Sequence, residues 1–409
     1  MATPIRLIST ILLLLTQNLS GTFAQSDTAS AEKFKQLLEE ARLELAPDKR
    51  TSIVEQVPSA DNPQKYIVQI SDSRIKTALE KKLKDYANQL TILTLPDASV
   101  GEQAYGVVQL SVANLRTKPS HAAEMATQVL LGTVLDILQK DGADLRVRTP
   151  EGYIAWIQRS SLTLMDEDAV SAWKNAKRIM YTNDFGKSYS APDANSQRIS
   201  DLVYGDMLAL VAEHEQFYQV AYPDGRTGYV AKEEALPFSD WLNSRQANAQ
   251  TILQSAKTML GLPYLWGGTS VKAVDCSGFT KTSFFMNGYI IPRDASQQAL
   301  YGQSIDILDK NGDFDPAKAL KNLRPADLLF FAGGKKPGSQ ARVTHVALYL
   351  GDGEFIHAAG TVRINSMLKA AANYDDFQTR TVVAAKRYLG VQDSAITKVA
   401  DSPYYQTTN

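Results

Sequence analysis

The sequence predicts an α+β protein, and three observations carry that reading. In residues 241–390 helical periodicity comes first and strands follow it, instead of alternating with it. Residues 101–237 hold two successive runs of short apolar strands separated by turn signals, as small barrels do. Residues 25–100 mix both periods, with a helix, a strand, a helix and a strand in turn. The 409 residues suffice for about two to four domains, and 44% apolar with 21% charged residues is ordinary for a globular protein. The formal charge of −1 argues against a nucleic-acid partner, which asks for a basic face.

Residues 1–24 read as a secretory leader. Arg6 precedes the apolar run from Leu7 to Leu15, and small residues lead to a cut after Ala24. The run is short for a bilayer span; an uncleaved anchor is the alternative. No cysteine lies in residues 15–30 to accept a lipid. After cleavage no stable membrane anchor is expected, and the chain is expected in the periplasm as a monomer. In residues 31–45, Phe34, Leu37, Leu38, Ala41 and Leu45 recur at helical spacing. Strands at 66–70 and 91–95 and a helix at 73–87 complete a leader domain over 25–100. No chemistry is visible in it.

Strands at 106–110, 133–138, 145–148 and 153–157, with turns at Asp141-Gly142 and Glu151-Gly152, make a first barrel over 101–165. Strands at 208–211, 218–221 and 228–230, with a turn at Asp224-Gly225, repeat the scheme over 166–240. Gly152-Tyr153-Ile154-Ala155 matches Gly228-Tyr229-Val230-Ala231 in this reading. Residues 241–390 begin with an amphipathic helix at 244–260. A loop at 261–268 follows, then a helix from near Cys276 to Gly288, then strands at 327–331, 343–350, 354–358 and 381–387. The polar tail 391–409 is expected to be loose.

Cys276 is the one cysteine of the chain. A lone thiol in an exported protein is either a buried small hydrophobe or a nucleophile. It sits at the first turn of a helix, where unpaired N–H groups favour an anion, so a lowered thiol pKa is expected. Two of the four histidines, His345 and His357, fall in one hairpin around Gly351-Asp352-Gly353. They share a face if that hairpin has a three-residue loop or a bulge; a plain two-residue loop would separate them. His345 could then take the Cys276 proton, and His357 could hold the ring of His345. The Cys276 N–H and the Tyr264 hydroxyl are candidate oxyanion donors. Zinc is the competing use of one cysteine and two histidines, but no metal-ligand spacing flanks them, so no metal or other cofactor is expected. His121 and His214 fall in loops and take no role.

Pro263-Tyr264-Leu265-Trp266-Gly267-Gly268, Asp275-Cys276-Ser277-Gly278-Phe279, Pro292-Arg293-Asp294, Thr344-His345-Val346-Ala347-Leu348-Tyr349 and His357 together resemble the NlpC/p60 family of cell-wall cysteine peptidases. The likeness covers about residues 245–390. It implies a papain-like catalytic domain and cleavage of peptidoglycan stem peptides between D-γ-glutamate and the diamino acid. The two β-barrels resemble bacterial SH3-like domains. The expected architecture is thus a small α+β leader domain, two small SH3-like β-barrels and a papain-like cysteine peptidase domain. This layout looks like the family's dipeptidyl-peptidase VI branch. The resemblance implies that Glu124 and Tyr153 of the first barrel and Asp294 read a free N-terminal L-alanine amine, with Asp275 and Ser277 also facing the substrate. The bland alternatives are a solvated Glu124, an ordinary barrel Tyr153 and an Asp294 that caps a helix. Three rivals stay open: a wall-anchoring protein with a dead catalytic domain, an endopeptidase on intact wall, and an amidase or acyltransferase with the same triad.

Overall fold

The computed structural model describes residues 29–59, 62, 65–333, 342–375 and 380–406. The leader expected at 1–24 lies outside them. The chain divides into two units between Asp97 and Ala98.

In the first unit a helix over 29–45 (α1) is followed by β1 (Val54–Val57), β2 (Tyr66–Ile70), α2 (Lys76–Lys82) and β3 (Leu90–Thr94). Strands β1 and β2 pair antiparallel, whereas β2 and β3 pair parallel, with α2 in the crossover between them. Phe34 of α1 stacks on Tyr66 with ring centroids 3.9 Å apart. The helix expected over 73–87 is shorter. Asp72 caps a 3-10 turn by accepting from the Arg74 N–H, and Leu83 leaves helical geometry while staying buried.

The second unit opens with β4 (Tyr105–Val108), β5 (Val112–Arg116), β6 (Met125–Leu130), β7 (Val134–Asp141), β8 (Asp144–Arg148), β9 (Ile154–Gln158) and β10 (Leu162–Met165). They form one antiparallel sheet in the order β10-β4-β7-β8-β9-β5-β6. After α3 (Glu167–Asn175) come β11 (Arg178–Tyr181), β12 (Phe185–Tyr189), β13 (Arg198–Val203), β14 (Met207–Glu213), β15 (Phe217–Ala221), β16 (Thr227–Ala231) and β17 (Ala235–Pro237). Their order is β13-β12-β16-β15-β14-β11-β17, the first order read backwards. Each strand of the first set begins 73 residues before its counterpart, as β4 at Tyr105 and β11 at Arg178 show. The repeat is real, but its register differs from the sequence reading. Tyr153 corresponds to Arg226 and not to Tyr229; the shared Gly-Tyr dipeptide misleads by three places. The end strands of each sheet do not pair, so both are open sheets and not closed barrels.

The rest of the unit holds α4 (Phe238–Ser244), α5 (Ala249–Thr258), the ribbon β18 (Thr269–Ser270) and β19 (Ala273–Val274), α6 (Cys276–Phe285), β20 (Tyr289–Ile290) and α7 (Ala295–Gln298). Then come β21 (Gln303–Ser304), α8 (Pro316–Asn322), β22 (Leu328–Ala332), β23 (Val343–Gly351), β24 (Glu354–Ala359), β25 (Thr361–Ser366), β26 (Thr381–Arg387) and β27 (Thr397–Lys398). A six-stranded antiparallel sheet runs β21-β26-β22-β23-β24-β25. Helix α6 covers one of its faces, burying Phe279 and Phe284 with Val346, Leu348, Ile356 and Ala358. The helix expected over 244–260 is present but shorter, as α5, because Asn248 and Thr251 form a capping box that starts it at Ala249. Over its described residues, 391–406, the tail is not loose. Strand β27 pairs with β20, Val399 and Tyr405 are buried, and the Tyr404 hydroxyl donates to Asp136 at 2.7 Å.

Candidate active site

Cys276 is the first residue of α6, and Asp275 is its cap. The Asp275 carboxylate accepts from the Gly278 N–H at 2.7 Å and the Gly267 N–H at 2.9 Å, satisfying donors that a helix start leaves free. Gly278 has to be glycine, since a Cβ there would run into the Gly268 carbonyl. Arg293, only 1% exposed, grips the same carboxylate with two nitrogens at 2.7 and 3.1 Å. Its Nη1 also donates to the Ser277 hydroxyl at 3.0 Å, and its Nε to the Thr127 hydroxyl of β6 at 2.8 Å. The start of α6 is thereby tied to the first seven-stranded sheet.

The two histidines come together on the β23–β24 hairpin. Gly351 pairs with Glu354 across Asp352-Gly353, whose φ angles of 50° and 82° suit a tight two-residue turn. The register shifts between Tyr349 and Gly351, so that Tyr349 faces Phe355 and Leu348 faces Ile356. Carried one residue further, this register sets Ala347 opposite His357 and leaves His345 diagonal to it on the same face. The bulge thus does what a plain two-residue loop could not. His345 Nε2 lies 2.9 Å from His357 Nδ1, and His357 Nε2 lies 3.0 Å from Asn365 Oδ1 on β25. Beyond Leu348 and Ile356 the β23–β24 ladder stops. There the Val346 N–H turns to the Cys276 sulfur. The sulfur therefore meets β23 at its backbone, next in sequence to His345.

Burial dominates the electrostatics. It pushes the Cys276 thiol up to about 12, with the Asp275 charge adding to it, while the Val346 and Ser277 N–H groups act the other way and lose. This corrects the expectation of a lowered thiol pKa: the helix-start amides are present, but the site is dry. Burial likewise holds His345 well below the usual imidazole range, and His357 at about 4, with Arg380 adding to the effect. Burial thus favours the neutral forms of the thiol and of both imidazoles.

Tyr264 is half-buried, and its hydroxyl pKa is raised by burial first and then by Cys276 and Asp275, which places it in the same electrostatic neighbourhood. The Cys276 backbone N–H has no partner among the described residues. Tyr153, just ahead of β9, donates its hydroxyl to Asp294 Oδ2 at 3.3 Å. Asp294 also caps α7, where Gln297 Oε1 accepts from its N–H at 3.0 Å. Glu124 is exposed, and no side-chain partner of it occurs among the described residues. Asp275 and Ser277, expected to face the substrate, are 6% and 4% exposed and turn toward Arg293, because a cap residue has to serve its own helix. No group of His, Cys, Asp or Glu suited to a metal occurs among the described residues.

Two residues escaped the sequence reading. Arg293 was visible only as part of the Pro-Arg-Asp phrase. Asn365 could have been found from Gly360: Ala359 pairs with Thr361, hence His357 with Arg363, and Asn365 shares the face of His357 diagonally.

The chain matches the NlpC/P60 family over residues 261–382 and the bacterial dipeptidyl-peptidase Sh3 domain over residues 115–162. It is 30% identical over 247 residues to the gamma-D-glutamyl-L-lysine dipeptidyl-peptidase of Bacillus cereus, covering 58% of this chain and 68% of that one. The protein of the same name from Bacillus subtilis is 30% identical over 246 residues, covering 58% and 72%. A crystal structure of an NlpC/P60 family protein from Bacillus cereus has a TM-score of 0.57 and 25% identity, covering 70% of this chain and 99% of that one. With Cys276 at the head of α6, paired imidazoles on the facing hairpin and these likenesses, the chain is a peptidase that belongs to the NlpC/P60 family.

Proposed function

We propose that the protein is an exported cysteine peptidase that hydrolyses the bond between D-γ-glutamate and the diamino acid in free peptidoglycan stem peptides bearing an N-terminal L-alanine. What supports this reading is Cys276 at the head of α6, the His345–His357 pair, and the Tyr153–Asp294 pair, with Arg293 lying 3.8 Å from Asp294 and bonded to Asp275 next to Cys276. The first two belong to the catalytic fold, and Tyr153 comes from the preceding sheet. Domain bounds at 25–100, 101–165, 166–240 and 241–390 belong to the proposal, as do export by residues 1–24 and a monomeric state.

In this mechanism the Cys276 sulfur attacks the glutamyl carbonyl carbon while its proton moves to His345. The Cys276 N–H and the Tyr264 hydroxyl donate to the developing oxyanion. Collapse breaks the C–N bond, His345 returns the proton to the leaving amine, and a thioester remains. Water then attacks the thioester with His345 as base, releasing the γ-carboxylate and restoring the thiol. The Asp294 carboxylate and the Tyr153 hydroxyl take the ammonium of alanine. An acetylated amine is neutral, so it forfeits the charge-assisted hydrogen bonds that an ammonium makes with this carboxylate.

The test offers L-Ala-γ-D-Glu-diamino acid, its N-acetyl form and whole sacculi. Release of L-Ala-D-Glu from the free peptide alone is expected. Equal cleavage of the acetylated peptide would remove the amine-reading claim, and cleavage of sacculi would favour an enzyme of intact wall.

A further inference from the structure

Asn365 stands outside the cysteine and the two histidines, yet its amide decides where their protons sit. We propose that Asn365 is a positioning residue that sets both histidines as Nε2–H tautomers, leaving His345 Nδ1 as the free base that faces outward from the relay. The proposal rests on the peptidase reading of the site.

The amide orientation is forced by partners that have only one role each. Asn365 Nδ2 donates to the Asn373 carbonyl at 3.1 Å, and Arg363 Nε donates to Asn365 Oδ1 at 3.0 Å. A carbonyl cannot donate and a guanidinium cannot accept, so the oxygen of the amide points at His357. His357 Nε2, 3.0 Å away, must then carry a hydrogen. A neutral imidazole has one N–H, so His357 Nδ1 is a lone pair. His345 Nε2, 2.9 Å from that lone pair, must be the donor, and His345 Nδ1 is left unprotonated. Each step uses up one choice, and the last atom in the line is the one that has to accept a proton. An aspartate at 365 would accept equally well but would also favour a charged His357. A doubly protonated His357 offers no lone pair to His345, and the relay would break. The neutral amide fixes the tautomer without inviting the charge.

The charged and titratable groups around the relay fit this reading. Arg363 on β25 and Arg380 before β26 both oppose a positive ring; Arg380 is paired with Asp375 at 2.9 Å. Glu354 of β24 is held off by Asn373, whose Nδ2 donates to it at 3.1 Å. Cys276 of α6 meets β23 at the Val346 N–H, next in sequence to His345.

The test has a readout that needs no substrate. Nitrogen-15 spectra of the wild-type chain should show both His345 and His357 protonated at Nε2 and bare at Nδ1, assigned with H345N and H357N variants. Asn365→Leu keeps the branched shape and removes the acceptor. It should lower kcat and the iodoacetamide alkylation rate of Cys276 by about 10- to 100-fold while leaving KM unchanged. Asn365→Asp should move the acid limb of both profiles up by about one pH unit or more. A wild-type spectrum with either ring protonated at Nδ1 would overturn the proposal, even if the leucine variant fails to fold. So would a folded leucine variant with unchanged rates and pH limb. If spectra and alkylation behave as expected but no peptide is cut, the peptidase reading falls and the tautomer assignment stands.

Discussion

Residues 149–153 and 222–226 make the same turn. Thr149 and Tyr222 each donate their N–H to the carbonyl four places on, and Gly152 and Gly225 each close the turn onto the residue three back. The turn ends on Tyr153 in the first sheet and on Arg226 in the second. Tyr153 reaches Asp294 beside the site; Arg226 is occupied by Asp224 at 2.6 Å and the Gln109 carbonyl at 3.1 Å. The neighbouring positions diverge too. Thr127 of β6 holds Arg293, while its counterpart in β13 is Ser200, beside Asp201, which pairs with Lys272 at the surface. One topology thus serves two ends: the first copy meets the polar groups at the start of α6 through Thr127 and Tyr153, whereas the second packs Met180, Met207 and Val203 against Ile290, Val271 and Met286 and adds an exposed ion pair. Topology follows from strand pattern, whereas the role follows from which residue each copy places at one turn and one edge.

The contrast breaks most visibly at Arg293. Asp275, Ser277 and Thr127 all depend on it, and removing one partner leaves a buried carboxylate unpaired. Arg293→Met should cost about 3–5 kcal/mol of unfolding free energy. Urea titrations should show it as a lower midpoint, with loss of turnover. A midpoint equal to wild type would mean the first copy is not anchored through this residue.

Histidines sharpen the same division. His121 of the first copy and His214 of the second are exposed, while His357 is fully buried and held at about 4. A histidine whose folded pKa lies below its unfolded value of 6.5 stabilises above pH 6.5, and that stability is lost as pH falls through 4. The shift corresponds to about 3 kcal/mol. Unfolding free energies of wild type and His357→Asn should therefore converge by that amount between pH 6.5 and 4. Parallel curves for His357→Asn would show that its imidazole is not held neutral.

The fold class and repeat were legible because period and turn residues are local signals. The repeat register was not: a Gly-Tyr pair recurs at 228–229, and only the turn hydrogen bonds show that Tyr153 matches Arg226. The cysteine and histidines were legible by rarity and spacing. The thiol's raised pKa was not, because its burial depends on Val346, Ile356 and Ala358, which are far from Cys276 in sequence and pack against α6 only on folding. Nor was the docked tail, since Tyr404 and Tyr405 look like any polar terminus until Asp136 and Arg178 are placed against them.

At the matched turn the effect is smaller and lies in binding. Tyr153→Phe removes one hydroxyl donor to Asp294, and a hydrogen bond to a charged group is worth about 1.5 kcal/mol or more. The expected result is a KM for the free-amine peptide raised about ten-fold, with the N-acetyl form, if cut at all, unaffected. Arg226→Ala at the equivalent place should leave the kinetics unchanged. Equal effects from the two variants would erase the functional difference between the copies.

The smallest effect belongs to the outer fastening. Gln128 and Asp201 occupy the same position of their sheets, and both hold the segment after Gly268. Gln128 is buried, accepting from the Thr269 N–H at 3.0 Å; Asp201 takes Lys272 at 2.6 Å, with side chains 47% and 42% exposed. At that exposure the pair gains little over hydration and is screened by ions, so Lys272→Ala should cost less than about 1 kcal/mol. The difference from wild type should shrink further when salt is raised to about 1 M, where the screening length falls to about 3 Å. A loss as large as that of Arg293→Met, and insensitive to salt, would mean that the polar tie of the second copy is as strong as the buried tie of the first, and the division drawn between them would fail.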